Sequence, residues 1–138
     1  MVMLRKDFIL AEAQRLALIL ARLVGLKEDG KQAEFAQLAE DTALKEYNIA
    51  WDQLLDMPVD DFEEWLSQNS MSADKLDSLA QLLFLQSEPF NATQACIVNL
   101  RKVLLIYDVL EQKHHRQSLD NINRSKQIED FLSDFPVL

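Results

Sequence analysis

The side chains best suited to chemistry in this chain are two adjacent histidines, a single cysteine and a dense run of carboxylates. His114 and His115 stand side by side near the end of a long helical stretch. Neighbours on a helix point about 100° apart, so the two rings cannot clasp one ion together. Asp108, Glu111 and His115 share a helix face at spacings of three and four, which only half meets the requirements of a transition metal. A solvated face supporting the helix end explains them as well, and no metal site is assigned. Cys96 lies within Ala95-Cys96-Ile97-Val98, where a thiol serves as a small buried hydrophobe. With one cysteine there is no intrachain disulfide and no Cys-rich metal site.

Between Trp51 and Trp65 the carboxylates are Asp52, Asp56, Asp60, Asp61, Glu63 and Glu64. Paired carboxylates do acid–base work only when burial separates their pKa values. These alternate with apolar residues at helix starts, where the helix dipole favours anions. Asp60 with Glu63 reads as a capping box, each side chain satisfying a free amide of the helix start. The reading drawn is a surface for a basic partner, carried by Asp52, Asp56, Asp61 and Glu64. No nucleotide loop accompanies Gly30-Lys31, which lacks an earlier glycine and a following Ser or Thr. No G-x-S-x-G or H-E-x-x-H occurs either. No catalytic residue, cofactor or enzymatic activity is expected.

The whole composition points the same way. In 138 residues the apolar fraction is 49%, the charged fraction is 27% and the net charge is −9, as in an ordinary globular chain. An acidic balance disfavours nucleic acid and anionic membranes, both of which call for a basic surface. Leu16 to Ala21 resembles the apolar region of a signal peptide, but charged residues flank it and no small-residue cleavage site follows. Six apolar residues also fall short of the roughly 20 that span a bilayer. A cytoplasmic location is the expectation.

The elements that must position these residues are helices. Two glycines and three prolines are too few for a sheet protein rich in tight turns. Ile9, Ala13, Leu16, Leu20 and Leu23 step by four and three, which predicts a first helix, buried over most of its circumference. A second is predicted over 31–47, with Ala36, Ala39 and Ala43 along one side. Short helices around Trp51 and around Phe62 and Trp65 follow. Ser72 caps the next, which carries Leu76, Leu79, Ala80 and Leu83. A long helix is predicted over 92–117, opened by Asn91 with Gln94, and a last one over 122–135. The expectation is all-α, about seven helices with two of them short, in one domain spanning 1–138.

Sliding the chain by 60 residues aligns Leu23 with Leu83, Ala43 with Val103, Leu44 with Leu104 and Tyr47 with Tyr107. Glu28 and Glu88 fall together in the two turns. Each copy resembles a tetratricopeptide unit, two helices with small residues where they cross. The first copy has Gly30 in its turn, then Ala36 and Ala43-Leu44. It departs by one extra residue before Ala36 and by Gln32 where an aromatic is usual. The second has Phe90 in its turn, with Cys96 and Val103 at the small positions. From Leu4-Arg5-Lys6-Asp7-Phe8-Ile9-Leu10 onward, the chain also resembles a bacterial family of unknown function. That family is similar in its opening helix, acidic middle segment and closing helix pair. The resemblance implies tetratricopeptide-like hairpins packed as one right-handed array or bundle, and attaches no activity.

Three functions follow as expectations. The first is an adaptor or scaffold module whose hairpins present a surface to another protein. The second is a helical bundle holding a small molecule in a pocket. The third is a structural homo-oligomer, most simply a dimer through the first helix or the long helix of Tyr107, because few helices of so small a domain can be enclosed on every side.

Overall fold

The computed structural model describes residues 2–135, and side-chain surroundings over 7–135. Among the described residues seven helices run in order: α1 (Val2–Glu28), α2 (Gln32–Tyr47), α3 (Trp51–Asp56), α4 (Val59–Gln68), α5 (Ala73–Ser87), α6 (Gln94–His114) and α7 (Leu119–Leu132). No strand occurs among the described residues. The chain divides into two compact units, one ending at Leu54 and the other beginning at Leu55.

In the first unit α1 and α2 pack as a helical hairpin. Gly30 makes the turn at φ +70°, a left-handed conformation that glycine adopts without steric cost. Lys31 N–H then donates to the carbonyl of Leu26, using an acceptor that the end of α1 leaves free. Arg15 on α1 forks onto Glu46 on α2, with Nη2 at 2.8 Å from Oε1 and Nε at 3.1 Å from Oε2. Leu16, Leu23, Phe35, Ala39, Ala43 and Tyr47 are buried. Asn48 ends α2 in the left-handed conformation, which asparagine tolerates better than most residues.

The burial of α1 differs from the expectation of a helix enclosed nearly all round. Only Leu16 and Leu23 are buried among its described side chains. Phe8 is 75% exposed, Leu10 58% and Leu18 73%. Apolar composition set that expectation, but a hairpin offers each helix one neighbour, and one neighbour covers one face.

The second unit is built around α6, which packs against α4, α5 and α7. Its buried stripe is Ile97, Leu100, Val103, Ile106, Tyr107 and Leu110, at the spacing that keeps one face inward. Facing residues Leu76, Leu79, Ala80 and Leu83 of α5 are buried as well. Ser72, Thr93 and Ser118 each accept a backbone N–H through the side chain and so start α5, α6 and α7. The helix starts at Gln94 and Leu119 therefore differ from the expected 92 and 122. In the α5–α6 turn, Asn91 Oδ1 accepts from Thr93 and leaves the cap itself to Thr93.

Two further boundaries depart from expectation. Pro58, not Asp60, is the N-cap of α4, and no side chain caps that helix. Asp60 and Asp61 lie in its first turn, where they gain only the dipole interaction. His115 adopts φ 50° and ends α6, so the helix stops before the expected 117.

Candidate binding surface

The acidic residues named from the sequence are all exposed: Asp52 in the first unit, and Asp56, Asp61 and Glu64 in the second. None of the four has a hydrogen bond or ion pair holding its carboxylate in one geometry except Glu64, whose Oε1 accepts from Gln68 at 3.3 Å. Exposed carboxylates in high dielectric interact over several ångströms but weakly.

His114 is the last residue of α6 and His115 its left-handed cap. Asp108 lines a cleft with His114, whereas Glu111 and His115 border a different, shallower depression. Of the three residues grouped on one helical face in the sequence, Glu111 and His115 thus stay together and Asp108 borders a separate cleft. No group of three or more His, Cys, Asp or Glu is placed to hold a metal ion among the described residues. Cys96 is buried, with Sγ 3.5 Å from the carbonyl oxygen of Ser87, and packs as the small hydrophobe its neighbours suggest.

The cleft beside Asp108 has a volume of about 460 Å³. Leu66, Leu76, Leu105 and Val109 form its floor, and Glu63, Asp108, Lys113 and His114 its rim. That size falls within the range of small-molecule sites. All four rim residues are exposed, however, so water competes for each of them and no buried polar group converges on the floor.

One ionisable group of the second unit escaped the sequence reading. Lys102 is 0% exposed, although it lies amid the apolar stripe of α6. Its Nζ donates to the carbonyl of Leu55 at 3.1 Å and to Asn99 Oδ1 at 3.2 Å, and stands 5.6 Å from the Phe62 ring centre. Burial lowers its pKa to about 8, against the opposing pull of Asp56. Three turns of helix spacing cannot distinguish a lysine turned inward from one that snorkels to water. The carbonyl of Leu55 at the end of α3, distant in sequence, is one of its two inward partners, and that is a tertiary fact.

Most of the large exposed apolar residues are on α1, namely Phe8, Ile9, Leu10, Leu18 and Val24, with Leu44 on α2 in the same unit and Leu119 and Ile122 on α7 in the other. Comparison with family models, curated proteins and solved structures returned no match. No helix among the described residues is long and apolar enough to cross a membrane.

Proposed function

We propose that this chain is a protein–protein interaction module, an adaptor or scaffold built from tetratricopeptide-like helical hairpins. The observation that carries the reading is the exposed apolar surface of α1, with Phe8 at 75%, Leu10 at 58% and Leu18 at 73%. Isolated exposed leucines are ordinary, but several along one helix mark a surface made to be covered. The repeat is supported by burial in register. Leu16 and Leu76, Leu23 and Leu83, Ala39 and Asn99, Ala43 and Val103, and Tyr47 and Tyr107 are buried in both copies, 60 residues apart. Each unit holds one of the two hairpins.

A small-molecule function draws on the cleft floored by Leu66 and Leu105, but there the polar groups rim an open depression. Binding sites of that kind rely on a few converging polar groups shielded from water. The exposed acidic residues Asp56, Asp61 and Glu64 supply a second, electrostatic contribution to a basic partner. Affinity capture from the source cells tests the reading. Wild-type chain should retain a protein partner that a Phe8→Ser, Leu18→Ser double variant of unchanged helicity loses. Equal capture by both, or none by either, rejects the α1 surface as the site.

A further inference from the structure

We propose that the cleft between α4 and α6 seats a basic peptide segment of a partner protein. An apolar side chain of that segment lies on the floor, and a lysine or arginine beside it meets the acidic end of the rim. The site shares no residue with the α1 surface and gives the interaction module a partner of stated chemistry.

The two helices run side by side in the same sense. The Phe62 ring centre of α4 is 5.6 Å from Lys102 Nζ of α6, and Asp74, a few residues beyond α4, pairs with Arg116 just past the end of α6. Both C-termini therefore reach the same end of the cleft. There His115 and Arg116 both donate backbone N–H groups to the carbonyl of Leu110, which leaves the carbonyls of the last turn of α6 without a helical donor. Carbonyls left open at a helix C-terminus favour a cation.

On the floor Leu66 and Leu76 are buried, whereas Met71, Leu105 and Val109 are half-buried and keep part of their surface open. An apolar anchor laid on that surface removes it from water, which is the main source of affinity. The rim is open, as it is not in a small-molecule site. A macromolecule closes such a rim with its own bulk, because contacts around an anchor exclude water even when they add little energy themselves. The remaining wall is the connection from Asn69 to Ser72, both in extended conformation. Ser70 and Met71 between them make no backbone hydrogen bond among the described residues, so their amide and carbonyl groups are open to a peptide backbone.

Charge decides what kind of peptide fits. α4 carries Asp60, Asp61, Glu63 and Glu64 and no lysine or arginine. Glu63 stands on the rim with Asp108 of α6, and neither is in an ion pair among the described residues. Lys113 and His114 lie more than a turn further along α6, and the long stem of Lys113 lets its ammonium swing into water. The net charge of −9 adds a field of the same sign as the carboxylates. A basic segment thus meets complementary charge, and an acidic one meets repulsion from carboxylates and open carbonyls alike.

Selection from a random peptide library displayed on phage, against the immobilised full chain, tests the inference. Enriched peptides should pair Leu, Ile, Met or Phe with Lys or Arg within a few residues. Amide chemical-shift changes on adding the best synthetic peptide should fall on residues 63–71 and 105–114. By fluorescence anisotropy at low salt, Glu63→Lys with Asp108→Lys should weaken its binding about tenfold. Lys113→Glu should strengthen it, and Val109→Gln should weaken it with an unchanged circular-dichroism spectrum. Glu63, Asp108 and Lys113 are exposed, so their variants should fold. Enrichment of acidic or uncharged peptides, shift changes outside the cleft, or an affinity indifferent to the charge reversal overturns the proposal. So does a selection that enriches nothing. The Phe8→Ser, Leu18→Ser variant separates the two surfaces. Undiminished peptide binding by that variant supports the cleft as a site of its own, whereas its loss overturns the cleft and keeps the α1 surface.

Discussion

Lys102 should make stability rise with pH in a window where most proteins are losing it. In the unfolded chain its ammonium titrates near the ordinary lysine value of 10.5, and in the folded protein near 8. Between those values the unfolded state binds more protons, so stability increases as pH rises, by about 1.4 kcal/mol per unit at full separation. Over the whole window a single buried lysine contributes roughly 3 kcal/mol. At pH below about 8 that cost is fully present, because folding must strip water from a charged ammonium. The carbonyl of Leu55 and Asn99 Oδ1 offset part of it, and a neutral amine can still donate to both. The perturbation is Lys102→Met, compared with wild type by urea denaturation at several pH values. The substitution strands the Leu55 carbonyl and the Asn99 oxygen, which adds a constant penalty of about 1–3 kcal/mol. That offset does not vary with pH, so only the difference between the two curves counts. Between about pH 7.5 and about pH 9.5, wild type should gain roughly 2 kcal/mol relative to the methionine variant. Parallel curves across that range would show that Lys102 is hydrated in the folded state, and would refute the reasoning.

Further expectations concern the caps, the buried tyrosine and the acidic turn. Ser72→Ala and Thr93→Ala should each cost about 1 kcal/mol in urea denaturation, because each removes the side-chain acceptor of a first-turn N–H; a negligible loss at both would mean that water replaces the caps freely. The Tyr107 hydroxyl is buried beside Arg124 but makes no hydrogen bond of good geometry, so Tyr107→Phe should change stability by no more than about 1 kcal/mol. Burial pushes that hydroxyl's pKa up to about 12, with Arg124 pulling the other way, so wild type should lose stability relative to Tyr107→Phe as pH rises from 10 to 12. Asp60→Asn should cost well under about 1 kcal/mol, since Asp60 contributes a dipole interaction and not a cap; a loss as large as that of Ser72→Ala would restore it as the capping residue.

Helix identity was legible in the sequence because it depends on spacing along one chain. Leu76, Leu79, Ala80 and Leu83 on α5, and Leu100, Val103 and Tyr107 on α6, repeat at the helical period and are buried where that period puts them. Ser72 was legible for the same reason, since a cap and its target lie three residues apart. Other boundaries were ambiguous because competing local donors and acceptors stand close together. Asn91 and Thr93 could each start α6, and Pro58 and Asp60 each α4. The acidic residues Asp52, Asp56, Asp61 and Glu64 were legible as exposed, since charges without partners stay in water. Tertiary structure alone decided which apolar faces find a neighbour. Val24 is 37% exposed, whereas Phe84, 60 residues on, is buried against Phe90 and Arg124 of α7. It also turned Lys102 inward, because the carbonyl that receives it lies 47 residues away along the chain. Sequence periodicity says which side of a helix is apolar, whereas what covers that side depends on elements distant in sequence.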